Sequence, residues 1–402
     1  MRITGVVYMS KEHSNLWKIS LIVILIAPIA QFATDIYVPA LPDISIYFSQ
    51  SNSFVQWTIT AYLISFALGQ PIAGILADKI GRKPTLAMGL SIFIIGCVGV
   101  FFVKSIDGFY FFRFIQGLGL TSTAVMMKVI ASDCFTGKDL IKLMTYAITV
   151  YGIGPIVAPA LGAYISDVYG WKYTFIALII FASILLLMIT FLLPETKKSK
   201  EKTTIPKYFS NAKTIFSNSK FTFSYVCGGL CFASSYAFNM IAPFLYQNTL
   251  NISLMRYGYI VMLVGASYLV GSLLNRYLIK FFSCDFILLS SVLISSLLST
   301  IFLLATLFIP NIQTATITIF SCGFIMLSGL MLPNYIAKGI DVGPTLNAVA
   351  GSLSGTVMML TTAVSITFLS ILPAEHISTV PTAFWVIALL NAVLFVTFIY
   401  KK

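Results

Sequence analysis

The chain has 402 residues, of which 58% are hydrophobic and only 9% charged, with a mean hydropathy of +0.94. A soluble globular domain of this size needs a charged surface, so the composition excludes one and makes lipid the solvent. The net charge of +12 would suit nucleic acid if the basic residues clustered, but they sort by loop, and no nucleic-acid partner is expected.

Apolar runs bounded by charge, Pro or Gly predict six helical spans near 18–40, 54–75, 85–103, 108–131, 142–165 and 172–193. Six more are predicted near 221–246, 256–279, 285–308, 313–335, 345–371 and 381–400. Runs of roughly 20 residues cross a bilayer as helix, and their continuity differs from the alternating segments of a membrane barrel. The expected fold class is an all-α integral membrane protein with twelve transmembrane helices in two six-helix pseudo-repeats. The only long polar stretch separates six spans from six. It divides an N-terminal bundle at 1–195 from a C-terminal bundle at 220–402, with a cytoplasmic linker at 196–219.

Of the 25 basic residues, 20 lie in even-numbered loops or at the termini: Arg2, Lys11, Lys18, Lys79, Arg82, Lys83, Lys138, Lys142, the seven lysines from Lys197 to Lys220, Arg276, Lys280, Lys338, Lys401 and Lys402. Odd-numbered loops hold Lys104, Lys172 and Arg256, while Arg113 and Lys128 lie in span 4. The positive-inside rule therefore puts both termini and the even loops in the cytoplasm. The first apolar run lacks a small-residue cleavage site and carries Asp35 near its end, so it is expected to be retained.

Span 1 ends in Thr34-Asp35-Ile36-Tyr37-Val38-Pro39-Ala40-Leu41-Pro42. Of the thirteen acids, Glu12, Asp43, Asp78, Asp107, Asp133, Asp139, Asp167, Glu195, Glu201, Asp285, Asp341 and Glu375 fall in loops, termini or span ends, and only Asp35 lies within an apolar run. It stands about 25 Å up a helix from Lys18 at ~1.5 Å per residue. A carboxyl held in such surroundings is a group that can take up and release a proton near neutral pH, which makes Asp35 the proton-carrier candidate.

After span 2 comes Gly74-Ile75-Leu76-Ala77-Asp78-Lys79-Ile80-Gly81-Arg82-Lys83. Gly74 is expected to allow close helix approach and Gly81 a tight turn, with Asp78 pairing to Arg82 and Asp133 joining the charge cluster. Span 4 reads Arg113-Phe-Ile-Gln116-Gly117-Leu-Gly119. An arginine inside a membrane span persists where it pairs or serves function. Span 5 reads Gly152-Ile-Gly154-Pro155-Ile-Val-Ala158-Pro159-Ala-Leu-Gly162, in which two prolines bend the helix and the glycines let another helix lie close. In the second half, Gly271-Ser-Leu-Leu-Asn275-Arg276 after span 8 repeats Gly74-Ile-Leu-Ala-Asp78-Lys79 in decayed form, as in secondary transporters built from repeats.

The loop after span 2 resembles the G-x-L-A-D-x-x-G-R-K signature of the major facilitator superfamily, and span 4 resembles its R-x-x-Q-G-x-G motif. Span 5, with the span-1 segment and Gly170-Trp171-Lys172, resembles the Bcr/CflA branch of drug:proton antiporters. The sequence departs from that branch at Lys128, where an arginine is usual, and at Ser132-Asp133, where an Arg-Asp pair is usual. The resemblance implies a loop that latches the two halves in the outward-facing state, an Arg113 tied to proton coupling, and an Asp35 at the branch's acidic position. It implies export of small amphipathic compounds, such as bicyclomycin- or chloramphenicol-like antibiotics, across the inner membrane in exchange for protons.

Gln31, Tyr37, Tyr62, Gln116, Tyr146, Tyr236, Asn239 and Asn334 are the polar or aromatic residues of central spans expected to line the substrate path. The partners expected are a small-molecule substrate, protons and the lipid bilayer, with the chain a monomer. No cofactor is expected. The six cysteines have no metal-ligand set around them and read as packing residues, so no metal is expected either. The two histidines, His13 and His376, fall outside the spans, and no HExxH or GxSxG motif supports a membrane enzyme. Export of an endogenous metabolite or siderophore keeps every motif named here. Proton-coupled nutrient uptake on the same fold would need further intramembrane charges to grip a polar solute.

Overall fold

The computed structural model describes residues 16–197, 205–309, 313–339 and 347–400. Among them, twelve helices are long and apolar enough to cross a membrane. The first six are Leu16–Phe48, Asn52–Ile80, Arg82–Phe102, Ile106–Cys134, Gly137–Tyr169 and Lys172–Leu192. The last six are Ser219–Thr249, Leu254–Leu278, Cys284–Phe308, Thr314–Gly339, Val349–Leu369 and Thr379–Phe398. They are numbered here as spans 1 to 12. Several begin at local caps: Ser105, Asn218 and Ser283 each accept a backbone N–H three residues on, from Gly108, Phe221 and Phe286.

Span 1 is a broken rod. The segment Ile29–Asp35 gives way to a turn, a 3-10 segment at Val38–Ala40 and a second helix at Leu41–Phe48. Pro39 and Pro42 sit in the first positions of these segments, where a missing N–H costs nothing. The expected end of span 1 near residue 40 is thereby corrected: the prolines restart the helix rather than stop it, and it runs on to Phe48.

Lipid-facing stripes mark the perimeter. Ile180, Ile184, Leu187 and Phe191 on span 6, and Leu293, Leu297, Ile301 and Leu304 on span 9, are exposed at helical spacing. Inside, spans 2, 3 and 4 pack together, and spans 7, 10 and 11 do likewise. Span 2 meets span 11 and span 5 meets span 8 across the middle. The segment expected to be a plain polar linker carries a helix, Ile205–Phe216, whose Ala212 and Ile215 are buried among residues of spans 7, 10 and 11.

One group of polar contacts between the first and last six spans lies at the end opposite the basic loops. Ser53 Oγ and Trp57 Nε1 donate to the carbonyl and hydroxyl oxygens of Ser370, at 2.7 and 2.8 Å. Asn52 and Asn248 both donate to Glu375 Oε1, at 3.1 and 2.9 Å, and Gln247 Nε2 donates to the Pro39 carbonyl at 2.7 Å. The bonds to Ser370, Glu375 and Pro39 tie the first and last six spans together at that end.

Candidate functional site

Asp35 stands where span 1 breaks, and its side chain is completely buried. Two carboxamides satisfy it: Gln31 Nε2 donates to Oδ2 at 2.7 Å, and Asn239 Nδ2 from span 7 donates to Oδ1 at 3.3 Å. The Gln31 amide continues outward, its Oε1 accepting the Tyr151 hydroxyl at 2.9 Å and, more weakly, the Tyr236 hydroxyl at 3.5 Å. One acid thus joins side chains from spans 1, 5 and 7.

Gly162 of span 5 makes this approach possible. A Cβ there would overlap the Ile36 carbonyl, so only glycine lets span 5 lie against the break next to Asp35. Gly154 faces the Gln31 side chain in the same way, while Gly152 meets Leu269. The Pro155 and Pro159 backbone lies against Gly265 and Gly258 of span 8. Span 5 therefore lies against both span 1 and span 8.

Arg113 is also fully buried. Its Nη1 donates to the Ala33 carbonyl at 3.0 Å and to Gln116 Oε1 at 2.6 Å. Its guanidinium lies 4.4 Å from the Tyr37 ring and 4.6 Å from the Tyr62 ring, contacts that contribute about 2 kcal/mol each when desolvated. Tyr37 bonds Thr58, and Tyr62 donates to the Ala30 carbonyl, so both rings are held in place. Nε and Nη2 of Arg113, with Gln116 Nε2 and Gln56 Oε1, have no partner among the described residues. Such orphaned buried groups are costly and mark a site rather than a packing core.

A narrow cleft opens beside Asp35. Gln31, Tyr236 and Asn239 line it, together with Tyr151, Gly152 and Pro155 of span 5, Ser235 and Phe232 of span 7, and Gly265 and Tyr268 of span 8. The other residues expected to line the path stand elsewhere. Tyr37, Tyr62 and Gln116 are behind it, packed on Arg113. Tyr146 is exposed on span 5 away from the cleft, and Asn334 bonds Asn275 at the basic end of span 8. Tyr151 and Tyr268 do not stand out in the sequence because nothing but helical phase separates them from the other tyrosines.

At the basic end, Arg82 gathers the loop after span 2. Its Nη1 pairs with Asp78 at 3.0 Å and donates to the Ala77 carbonyl, and its Nε pairs with Asp133 at 2.9 Å. Gly81 turns the chain at φ 106°, a conformation suited to glycine, and a Cβ there would strike Glu195. In the sequence Glu195 is no more than a loop acid. In the structure its carboxylate accepts the backbone N–H groups of Arg82 at 2.9 Å and Lys83 at 3.2 Å, capping span 3, and that of Lys197 at 2.9 Å. Burial pushes this carboxyl up, but those backbone donors prevail and hold it below the usual range. Lys83 Nζ donates to the Thr190 carbonyl. The expectation that Gly74 admits a close helix is corrected, because nothing lies within 4 Å of a Cβ built there. Among the described residues, these bonds of Arg82 stay within the first half. Lys128, two turns inside span 4, is exposed and has no ion pair among the described residues.

The model of the Major Facilitator Superfamily matches residues 23–369. Among curated proteins, a bicyclomycin resistance protein homolog of Haemophilus influenzae is 24% identical over 255 residues, 62% of this chain and 64% of that protein. The multidrug transporter MdfA of Yersinia pestis is 27% identical over 249 residues, 61% of this chain and 60% of that protein. The chain thus spans less than two thirds of the length of these relatives. Among solved structures, a D-xylose-proton symporter superimposes with a TM-score of 0.79 at 14% identity, covering 96% of this chain and 98% of that one, a likeness of fold. The chain is a multi-pass membrane protein that belongs to the Major Facilitator Superfamily, whose members are membrane transport proteins rather than enzymes.

Proposed function

We propose that the chain is a proton-coupled antiporter that exports small amphipathic compounds, of the kind represented by bicyclomycin and other antibiotics, from the cytoplasm across the inner membrane. The observation that carries this reading is Asp35: a carboxyl completely buried at a helix break, held by two cleft-lining carboxamides from different halves. A charge in that position persists only where it is used. The relatives named for bicyclomycin resistance and multidrug transport support the direction and the cargo class.

In this reading the basic loops and both termini face the cytoplasm, and the end tied through Ser370 and Glu375 faces outward. Residues 1–195 and 220–402 act as two bundles that rock about the cleft, with 196–219 as their tether. Protonation of Asp35 from outside displaces cargo, and deprotonation to the cytoplasm readies the next cycle. Arg113, fastened to the Ala33 carbonyl two residues from Asp35, keeps the broken helix in register with span 4 and supports the coupling. The loop of Gly74, Asp78, Gly81, Arg82, Lys83 and Asp133 latches the inner end when the outer end opens. A monomer suffices, since the cleft is built from one chain.

Proteoliposomes test this directly. With a proton gradient imposed, wild-type protein is expected to move chloramphenicol or bicyclomycin against its concentration, and Asp35→Asn to lose gradient-driven movement. Full gradient-driven transport by Asp35→Asn would refute the assignment.

A further inference from the structure

Asp35 itself is not among the residues that line the cleft; Gln31 and Asn239 stand between. We propose that these two carboxamides relay the protonation state of Asp35 into the cleft, so that cargo is bound and released without touching the carboxylate. The inference rests on the reading of Asp35 as the proton carrier and supplies its means of action.

An ionised carboxylate only accepts, so Gln31 and Asn239 must both turn N–H groups toward it. That orientation leaves Gln31 Oε1 pointing away, where it takes the hydroxyl hydrogen of Tyr151 at 2.9 Å. The Tyr151 oxygen, its hydrogen committed, then offers lone pairs to the cleft, and Asn239 offers its carbonyl oxygen. With Asp35 charged, the lining accepts, and it suits neutral amphiphiles that carry N–H or O–H donors.

A proton added to Oδ2 reverses the pattern. The new carboxyl O–H and Gln31 Nε2 become two donors facing each other across 2.7 Å. Rotating the amide by half a turn removes the conflict: the carboxyl donates to Oε1, and Nε2 donates to the Tyr151 oxygen. The Tyr151 hydroxyl hydrogen is released toward the cleft, where a donor-bearing cargo now meets a donor. The proton stays on Asp35 throughout; only hydrogen-bond directions change. Asn239 and Tyr236 belong to span 7, so the same event weakens a tie between the halves.

The titratable and charged groups around Asp35 are Tyr37 on its own span, Tyr62 on span 2, Arg113 on span 4, Tyr151 on span 5, Tyr236 on span 7 and Tyr257 on span 8. Of these groups the carboxyl of Asp35 is the one whose protonation the relay invokes.

Infrared difference spectra of the full chain in lipid nanodiscs, taken between about pH 9 and about pH 5 without cargo, test the relay. The wild type is expected to show a protonated-carboxyl band, a paired glutamine carbonyl band that moves with a carbon-13 glutamine label, and a tyrosine C–O shift. Asp35→Asn should remove all three. Gln31→Met should keep the carboxyl band but lose the glutamine and tyrosine changes, and Tyr151→Phe should lose only the tyrosine shift; unchanged backbone amide bands show that each variant is folded. A carboxyl band that titrates in the wild type with no glutamine change, or a tyrosine shift that survives Gln31→Met, would overturn the relay while leaving the proton carrier intact. Absence of any Asp35-dependent carboxyl band would overturn the carrier and the relay together.

Discussion

The basic ends of the two halves carry similar segments that differ in charge, Gly74 to Lys79 after span 2 and Gly271 to Arg276 after span 8. After span 2, Asp78 and Asp133 pair with Arg82, and Glu195 caps the next helix. After span 8, the corresponding Asn275 accepts from Asn334 at 2.7 Å, a neutral amide pair at the same place between helix ends. A separate ion pair joins Lys338 to Asp285. The acidic charge is missing at the end of span 8, whereas Lys338 and Asp285 join the end of span 10 to the start of span 9 as Asp133 and Arg82 join span 4 to span 3. Under the latch reading, only the first half needs a cluster that can exchange partners as the inner end opens and closes; the second half needs only a joint.

The contrast can be broken from either side. Arg82→Ala should have the largest effect. It leaves Asp133 facing an empty position, and with the arginine 11% exposed and its acids 20% and 34% exposed, the expected loss is about 2 kcal/mol, between buried and surface pairs. Thermal unfolding in detergent measures it, and transport should fall with it. Asn275→Ala should cost less, about 1 kcal/mol, because Asn334 Nδ2 keeps its second bond to the Leu330 carbonyl. Transport should be little changed, since no partner exchange is asked of this joint; a transport loss as deep as that of Arg82→Ala would show the two ends to be equivalent.

Glu195→Gln sharpens the comparison with the smallest effect, about 0.5 kcal/mol for a carboxylate at a helix start. Its pH dependence has a definite sign. The folded-state carboxyl is held below the ordinary 4.5, so its stabilisation is complete above that pH and lost as pH falls through the lowered value. The stability difference between wild type and Glu195→Gln should be flat above 4.5 and close below it.

Much of this is legible in the sequence. Twelve apolar runs of bilayer length can hardly be read otherwise, and the acid inventory singles out Asp35 because charge inside an apolar run stands out against its background. The partners of that acid are harder to read. Spans that are apolar on nearly every face carry no phase signal, so nothing in the sequence tells that Gln31 and Asn239 face the cleft while Tyr146 and Asn334 face away. Pro39 and Pro42 resemble stop signals, yet a proline in the first turn of a helix is also a start signal, and only the conformation of the residues after it separates the two. Glu195 is hidden because its ligands are backbone N–H groups, which every residue but proline supplies. The helix at Ile205–Phe216 is masked by the lysines around it.

Under the proposed exchange, cargo and proton compete through Asp35. The most direct measurement adds chloramphenicol or bicyclomycin to lightly buffered, detergent-solubilised protein and records proton release, wild type beside Asp35→Asn. Competition at Asp35 predicts release on binding in the wild type and none in the variant. Binding by the wild type without proton release, or equal release from Asp35→Asn, would contradict it.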